Sequence, residues 1–225
     1  MDHRNIVVLT GAGVSRSAGL PTYRGPGGLW NDPELVALSN ASAMATRRAD
    51  VCAMFWKFHR AAAGVAPTAA HRALADFEAR TTASFLIVTQ NVDGLHQAAG
   101  SRNVCEYHGS LARWRCEVCG VEQAPPVEET HCGEPMRPCV VLFGEEIPAH
   151  AEHTVKRALR DCDLFVAIGT SGTVTPAASF VRWAEYAGAR RVLLNLELDD
   201  AARALYSECH AGPADELVPR WFADA

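Results

Sequence analysis

Asn5-Ile6-Val7-Val8-Leu9-Thr10 runs directly into Gly11-Ala12-Gly13-Val14-Ser15, and this stretch decides the fold. The apolar run is too short for a helix and shows no alternation, as expected of a strand buried on both faces of a parallel sheet. A strand that ends in a glycine turn and leads into a helix makes a phosphate cradle, because backbone N–H groups and the positive helix end face the anion. The other reading is a tight turn with no ligand. The third glycine of the ordinary dinucleotide fingerprint is replaced by Arg16. No acidic residue closes a strand about 20 residues on, where Trp30-Asn31-Asp32-Pro33 lies in a loop. The turn therefore holds phosphate in another arrangement, and plain hydride transfer is disfavoured.

Further runs of the same kind follow at Phe85–Thr89, Leu164–Gly169 and Arg191–Leu196, with Val140–Phe143 as a shorter fifth. Helical stretches lie between them at Ala49–Ala63, Thr68–Arg80, Ala151–Arg160 and Pro176–Ala187, the last with Pro176 in its first turn and Gly188 as its stop. This alternation predicts an α/β fold, a doubly wound parallel-sheet Rossmann-like domain. Two regions break the rhythm: Tyr23–Ala49, rich in Gly, Pro, Asn and Ser, and the cysteine-bearing Arg113–Pro138. Both read as insertions that form a small zinc-ribbon/helical domain. The expected division is 1–22, 64–112 and 139–225 for the Rossmann-like domain, and 23–63 with 113–138 for the small one.

The 225 residues suffice for one α/β domain and a satellite. A net charge of −5 argues against a nucleic-acid partner, which favours a basic surplus. No apolar run approaches the roughly 20 residues that span a bilayer, and the first residues lack a signal-peptide layout. A cytoplasmic location is expected. There the eight cysteines read as metal ligands or free thiols rather than disulfides.

The second strand ends in Gln90-Asn91-Val92-Asp93, which places polar groups outside the carboxyl end of the sheet, where ligands of open α/β folds sit. Helix capping by Asn91 or Asp93 is the alternative. His108-Gly109 follows a strand-like stretch, Asn103–Tyr107, at the seam between frame and insertion. Imidazole titrates near neutral pH and suits a general base.

Gly11–Ser15, followed by Gly19-Leu20-Pro21-Thr22-Tyr23-Arg24-Gly25 and Gly28-Leu29-Trp30, resembles the opening of the sirtuin family. The resemblance extends over nearly the whole chain. It implies that Gly11, Ala12, Gly13, Ser15, Gly19 and Pro21 surround NAD, that Ala12 and Tyr23 line its nicotinamide side, and that Arg24 contacts it. Gln90, Asn91 and Asp93 resemble the second family motif, in which Asn91 and Asp93 hold the carboxamide and the nearby ribose and count with the catalytic groups. His108 matches the catalytic histidine, whereas His96 is read as structural. Gly169, Thr170 and Ser171, then Asn195 and Glu197, and finally Ala214, match positions for the adenosine half.

The function so implied is an NAD-dependent protein-lysine deacylase. An acyl-lysine carbonyl oxygen attacks the anomeric carbon of the nicotinamide ribose, and nicotinamide leaves. His108 takes a proton from the ribose hydroxyls, so the sugar attacks the imidate carbon. Water then completes the transfer to give free lysine and O-acyl-ADP-ribose, with NAD consumed. A mono-ADP-ribosyltransferase and a non-catalytic NAD or ADP-ribose binding module are the competing readings. Val140, Val141, Phe143, Gly144 and Glu145 resemble the substrate strand, to which the acyl-lysine peptide of a protein substrate adds by main-chain pairing.

Cys116-Glu117-Val118-Cys119 is a C-x-x-C knuckle, and Cys132 lies a short loop later. A structural Zn2+ needs four thiolate or imidazole ligands. The sirtuin ribbon would supply a second cysteine beside Cys132, but Glu129 and Thr130 stand there. His131, Glu129 and Cys139 remain candidates for the fourth ligand. His131 adjoins Cys132 so closely that shared chelation looks strained, and a metal-free module is the alternative.

Some sirtuins prefer acidic acyl groups through a Tyr and an Arg three residues later. The matching helix here places His59 and Ala62 at those positions, so the fork that would pair with a carboxylate is missing. Arg60 points about 100° away from His59. The run Gly169–Pro176 nonetheless resembles the desuccinylating branch. The expectation is a selectivity that is not strongly acidic, with His59 modulating it.

Overall fold

The apolar run at the start of the chain is an inner strand of a six-stranded sheet. The structure is a computed structural model that describes residues 3–22, 27–125 and 128–223. β1 (Asn5–Thr10) leads into a 3-10 turn, Ala12–Ala18, and a short one at Leu29–Asn31. Then come α1 (Pro33–Leu38), α2 (Ala41–Thr46), α3 (Arg48–Ala62) and α4 (Ala69–Arg80). β2 (Ser84–Thr89), α5 (Leu95–Ala98), β3 (Val104–Glu106) and β4 (Gly109–Arg115) follow. The short strands β5 (Glu122–Gln123), β6 (Thr130–His131), β7 (Glu134–Pro135) and β8 (Arg137–Val140) come next. The chain continues through α6 (Ala149–Arg160), β9 (Leu164–Ile168), α7 (Phe180–Tyr186), β10 (Arg190–Asn195), α8 (Asp200–Leu205), β11 (Glu208–Ala211) and α9 (Ala214–Ala223).

The large sheet has the order β11-β10-β9-β1-β2-β3, with every pair parallel. The chain winds outward from β1 to β3, then crosses to β9 and winds the other way. The reversal between β1 and β9 is a topological switch point, and ligands of such folds bind beside it. The absence of alternation in β1 now has its cause. Ile6 and Val8 face α4 and α9, while Val7 and Leu9 face α6 and α7, and all four are buried. Burying each such side chain is worth about 1.5–3 kcal/mol.

A third cluster of buried residues joins α3 to a small antiparallel sheet, β5-β4-β8. Its centre is Trp56 stacked on Trp114, ring centroids 3.8 Å apart. The expected strand Val140–Phe143 is corrected here. β8 covers Arg137–Val140 and pairs antiparallel with β4, outside the large sheet. Pro138 cannot donate to a ladder, so the strand lies at an edge. The helix expected over Pro176–Ala187 is also shorter, a 3-10 turn at Ala177–Ser179 followed by α7. β11 and α9 escaped the sequence reading because Glu208-Cys209-His210-Ala211 carries no apolar run and Pro219 interrupts α9.

Candidate active site

A cleft of about 770 Å³ opens outside the carboxyl ends of the strands at the reversal. Two glycine turns meet there. Gly13 donates its N–H to the Gly169 carbonyl at 2.9 Å, and a Cβ on Gly13 would stand 2.6 Å from the Gly169 Cα. Only glycine permits this approach, which brings the glycine turns after β1 and β9 to one wall.

That wall holds Gly11, Ala12 and Gly13 after β1, Gln90 and Asn91 after β2, and Gly169, Thr170 and Ser171 after β9. Asn195 at the end of β10, Glu197 just after it and Ala214 at the start of α9 extend it. Val140, Val141, Phe143, Gly144 and Glu145 line the same cleft, as does His108. Four expected residues stand behind or beside the wall. Ser15 is buried and donates to Asp93 Oδ2 at 2.7 Å, while Asp93 Oδ1 accepts the Leu95 N–H at 3.0 Å. The pair braces the loop that presents Asn91. Gly19, in the left-handed conformation, ends the 3-10 turn, and Pro21 follows it. Tyr23 and Arg24 lie outside the described residues.

Asn91 is 5% exposed. Its Nδ2 donates to the Gly11 carbonyl at 3.2 Å and to Ser15 Oγ at 3.3 Å, which fixes the orientation of the amide. Oδ1 is then a buried acceptor without a partner among the described residues, in a residue that lines the cleft. Such an atom asks for a ligand N–H. The donor set therefore fits a nucleotide that carries an amide: glycine turns for phosphate, Glu197 for hydroxyls and Asn91 for the amide.

His108 Nδ1 lies 3.2 Å from the Gln90 carbonyl. A carbonyl only accepts, so Nδ1 carries the proton and Nε2 keeps its lone pair. Burial pushes the imidazole below the ordinary histidine range, with the Gln90 carbonyl working the other way. The ring is thus neutral at neutral pH and able to take a proton.

His59 is not part of the cleft wall. Its ring lies edge-on to Trp56 and Trp114, at 5.6 and 6.1 Å, because the stacked indoles offer it a flat apolar partner. Phe55 and Phe58 from the same helix line the cleft instead, and their i, i+3 spacing was the available signal. Arg16 and Asp215 also line it. Arg16, the residue that breaks the dinucleotide fingerprint, brings a cation to the site. The expected substrate strand is largely occupied. Val141 N–H donates to the His108 carbonyl, Leu142 N–H to Glu145 Oε2 and Phe143 N–H to the Ser39 carbonyl, each at 2.9 Å. A peptide adding here meets the Val141 carbonyl and the Gly144 N–H, which have no partner among the described residues.

In the small sheet region, one ligand atom each of Cys116, Cys119, His131 and Cys132 lies within 4.8 Å of all the others. The fourth member of this set is His131: its Nδ1 is 3.5 Å from Cys119 Sγ and 3.2 Å from Cys132 Sγ. Adjacent chelation works because Cys132 takes φ 53, which turns the chain just after His131. Glu129 is paired with Arg60 instead, and Cys139 sits on β8 opposite Ser110. The N–H of Cys119 above all holds the Cys116 thiol down to about 6. Three thiols and one imidazole form a closed donor set suited to a structural zinc.

The reversed sheet order, the paired glycine turns and the neutral imidazole beside them define a Rossmann-like nucleotide-binding fold with a module whose cysteines and histidine form a donor set for a metal. A model of the Sir2 family matches residues 11–176. An NAD-dependent protein deacylase of Pasteurella multocida is 42% identical over 229 residues, 97% of this chain and 96% of that protein. One of Thermus thermophilus is 42% identical over 204 residues, 86% and 80% of the two chains. Among solved structures, a Sir2 homologue–NAD complex superposes with a TM-score of 0.88 at 33% identity, covering 99% of this chain and 90% of that one. A Sir2 complex with a p53 peptide and NAD+ gives 0.84 at 25% identity, covering 99% and 94%. The chain belongs to the Sir2 family.

Proposed function

We propose that this chain is an NAD-dependent protein-lysine deacylase with His108 as its general base. The observation that carries the reading is His108 itself, neutral and held on the Gln90 carbonyl, in a cleft flanked by Asn91 and two glycine turns. NAD supplies an electrophilic ribose carbon and a leaving nicotinamide. Asn91 receives the amide at Oδ1, the turns at Gly11–Gly13 and Gly169–Ser171 receive phosphate, and Asn195 and Glu197 hold ribose hydroxyls. His108 Nε2 accepts a hydroxyl proton at the step that moves the acyl group to the sugar. Asp93 acts through Ser15 and the loop of Asn91. The partner is an acyl-lysine protein substrate, entering beside Val141 and Gly144.

The acyl end is walled by Phe55, Phe58 and Val92, and Arg16 is the only Arg or Lys among the described residues of the wall. An uncharged acyl group suits it. The small domain is centred on 23–63 and 113–138, where a separate buried cluster lies; Leu111, Val140 and Leu142 also join that cluster, so the small sheet runs a few residues past these bounds. A reducing compartment such as the cytoplasm suits adjacent thiols. No helix among the described residues is long and apolar enough to cross a membrane.

The test is incubation with NAD and a panel of acyl-lysine peptides, following nicotinamide release and peptide mass. Acetyl-lysine is expected to turn over, and His108→Ala to lose about 10²-fold or more. Label passing from NAD to protein without acyl loss would replace the reading with ADP-ribosyl transfer. A preference of roughly a hundredfold for succinyl-lysine would overturn the acyl assignment.

A further inference from the structure

The cysteine knuckle and the cleft are joined by charge. Glu117 stands between Cys116 and Cys119, and its carboxylate accepts from three guanidiniums. They are Arg48 of α3 at 2.7 Å, Arg137 of β8 at 3.1 Å and Arg115 of β4 at 3.3 Å. The Arg137 side chain is only 7% exposed, and its Nη2 also reaches both oxygens of Glu145, at 2.6 and 2.5 Å. Glu145 Oε2 in turn accepts the Leu142 N–H at 2.9 Å, and Leu142 and Glu145 line the cleft. Every link is charge-assisted and directional. One buried guanidinium is shared between the two carboxylates, Nη1 on Glu117 and Nη2 on Glu145, so a displacement of Glu117 shifts the planar fork and with it the bonds to Glu145. Neither Arg137 nor Glu117 lines the cleft itself.

We propose that Arg137 is a positioning residue that couples metal occupancy of the knuckle to the shape of the peptide wall at Leu142–Glu145. The inference rests on the deacylase reading. It requires reciprocity: if zinc improves peptide binding by some factor, bound peptide retains zinc by the same factor. Because the relay ends on the peptide wall, loosening it acts on peptide affinity and not on the chemical step.

The experiment uses the full chain loaded with zinc. Binding of an acetyl-lysine peptide is measured by calorimetry, and zinc equilibrium with a competing chromogenic chelator is read with and without saturating peptide. Peptide is expected to tighten zinc retention roughly fivefold or more. Glu117→Gln still binds zinc but loses this protection, and its KM for peptide rises by a similar factor while kcat and the KM for NAD stay within about twofold. Arg137→Lys keeps the charge but not the fork and behaves likewise. If that variant does not fold, Glu117→Gln carries the test, since Glu117 lies at the surface. Zinc retention that is the same with and without peptide, in a chain that binds peptide, overturns the coupling. So does a chain that holds no zinc. A chain that binds zinc but no peptide brings down the deacylase reading, and the coupling with it.

Discussion

His71 and His96 face each other behind the first glycine turn, ring centroids 4.6 Å apart and both buried. Thr10 Oγ1 donates to Thr89 Oγ1 at 2.9 Å, so His96 Nε2, 2.9 Å from Thr10 Oγ1, must carry the proton of that contact. The Asn91 N–H donates to the same Thr89 oxygen, which ties the pair to the site. Burial pushes His96 down to about 3 and His71 below its ordinary value, with Asp93 and Asp215 opposing the shift at His71. In the unfolded chain both titrate near about 6.5. Below that pH the unfolded state binds more protons, so their contribution is intact above it and is lost as pH falls toward the folded values. Each such group can cost up to about 1.4 kcal/mol per pH unit. The urea midpoint should therefore fall between pH 7 and pH 5. His96→Asn, though less stable, should show a shallower fall; an unchanged slope would remove His96 from the account. At this scale the placement of Asn91 in the cleft was legible because it stands just past the buried strand β2, and that of His108 because it follows a strand-like stretch at the seam with the insertion. The His71 and His96 pair was not, because their meeting depends on α4 crossing α5.

β4 begins at Gly109, directly after the base, and its start shows how an element is held in place. Gly109 has φ 83, and a Cβ there would stand 2.0 Å from the Cys139 carbonyl oxygen of β8. The two strands are packed backbone to backbone where His108 enters the cleft. Gly109→Ala should cost about 2 kcal/mol or more in urea unfolding and reduce deacylation, because the strained strand carries His108 with it. A variant within ~0.5 kcal/mol of the parent would show that the strands part easily. Among elements, β1, β2, β9 and β10 were readable from unbroken apolar runs buried on both faces. The strand at Val140–Phe143 was misplaced because an apolar run reports burial and not the sheet in which it lies.

The metal module reaches the whole molecule through α3, whose Arg48 holds Glu117 and whose Phe55 and Phe58 wall the cleft. Purified protein should carry about one zinc per chain, held by Cys116, Cys119, His131 and Cys132. A chelator should lower the thermal midpoint by roughly 3 °C or more, since a metal bound only by the folded state adds its binding free energy to stability. Less than about a tenth of an equivalent of zinc would remove the site.

By itself the sequence determined the doubly wound sheet, the glycine turns at its strand ends and a histidine at the seam of frame and insertion, because each is written in short-range pattern: an apolar run, a glycine turn, a polar residue at a strand end. The tertiary structure alone decided that His131 completes the metal set, that Phe55 and Phe58 rather than His59 face the cleft, and that Arg137 links Glu117 to Glu145. These depend on side-chain direction and on contacts between segments far apart in the chain. Spacing along the sequence constrains such contacts weakly, and the packing of α3 against β4 and β8 fixes them.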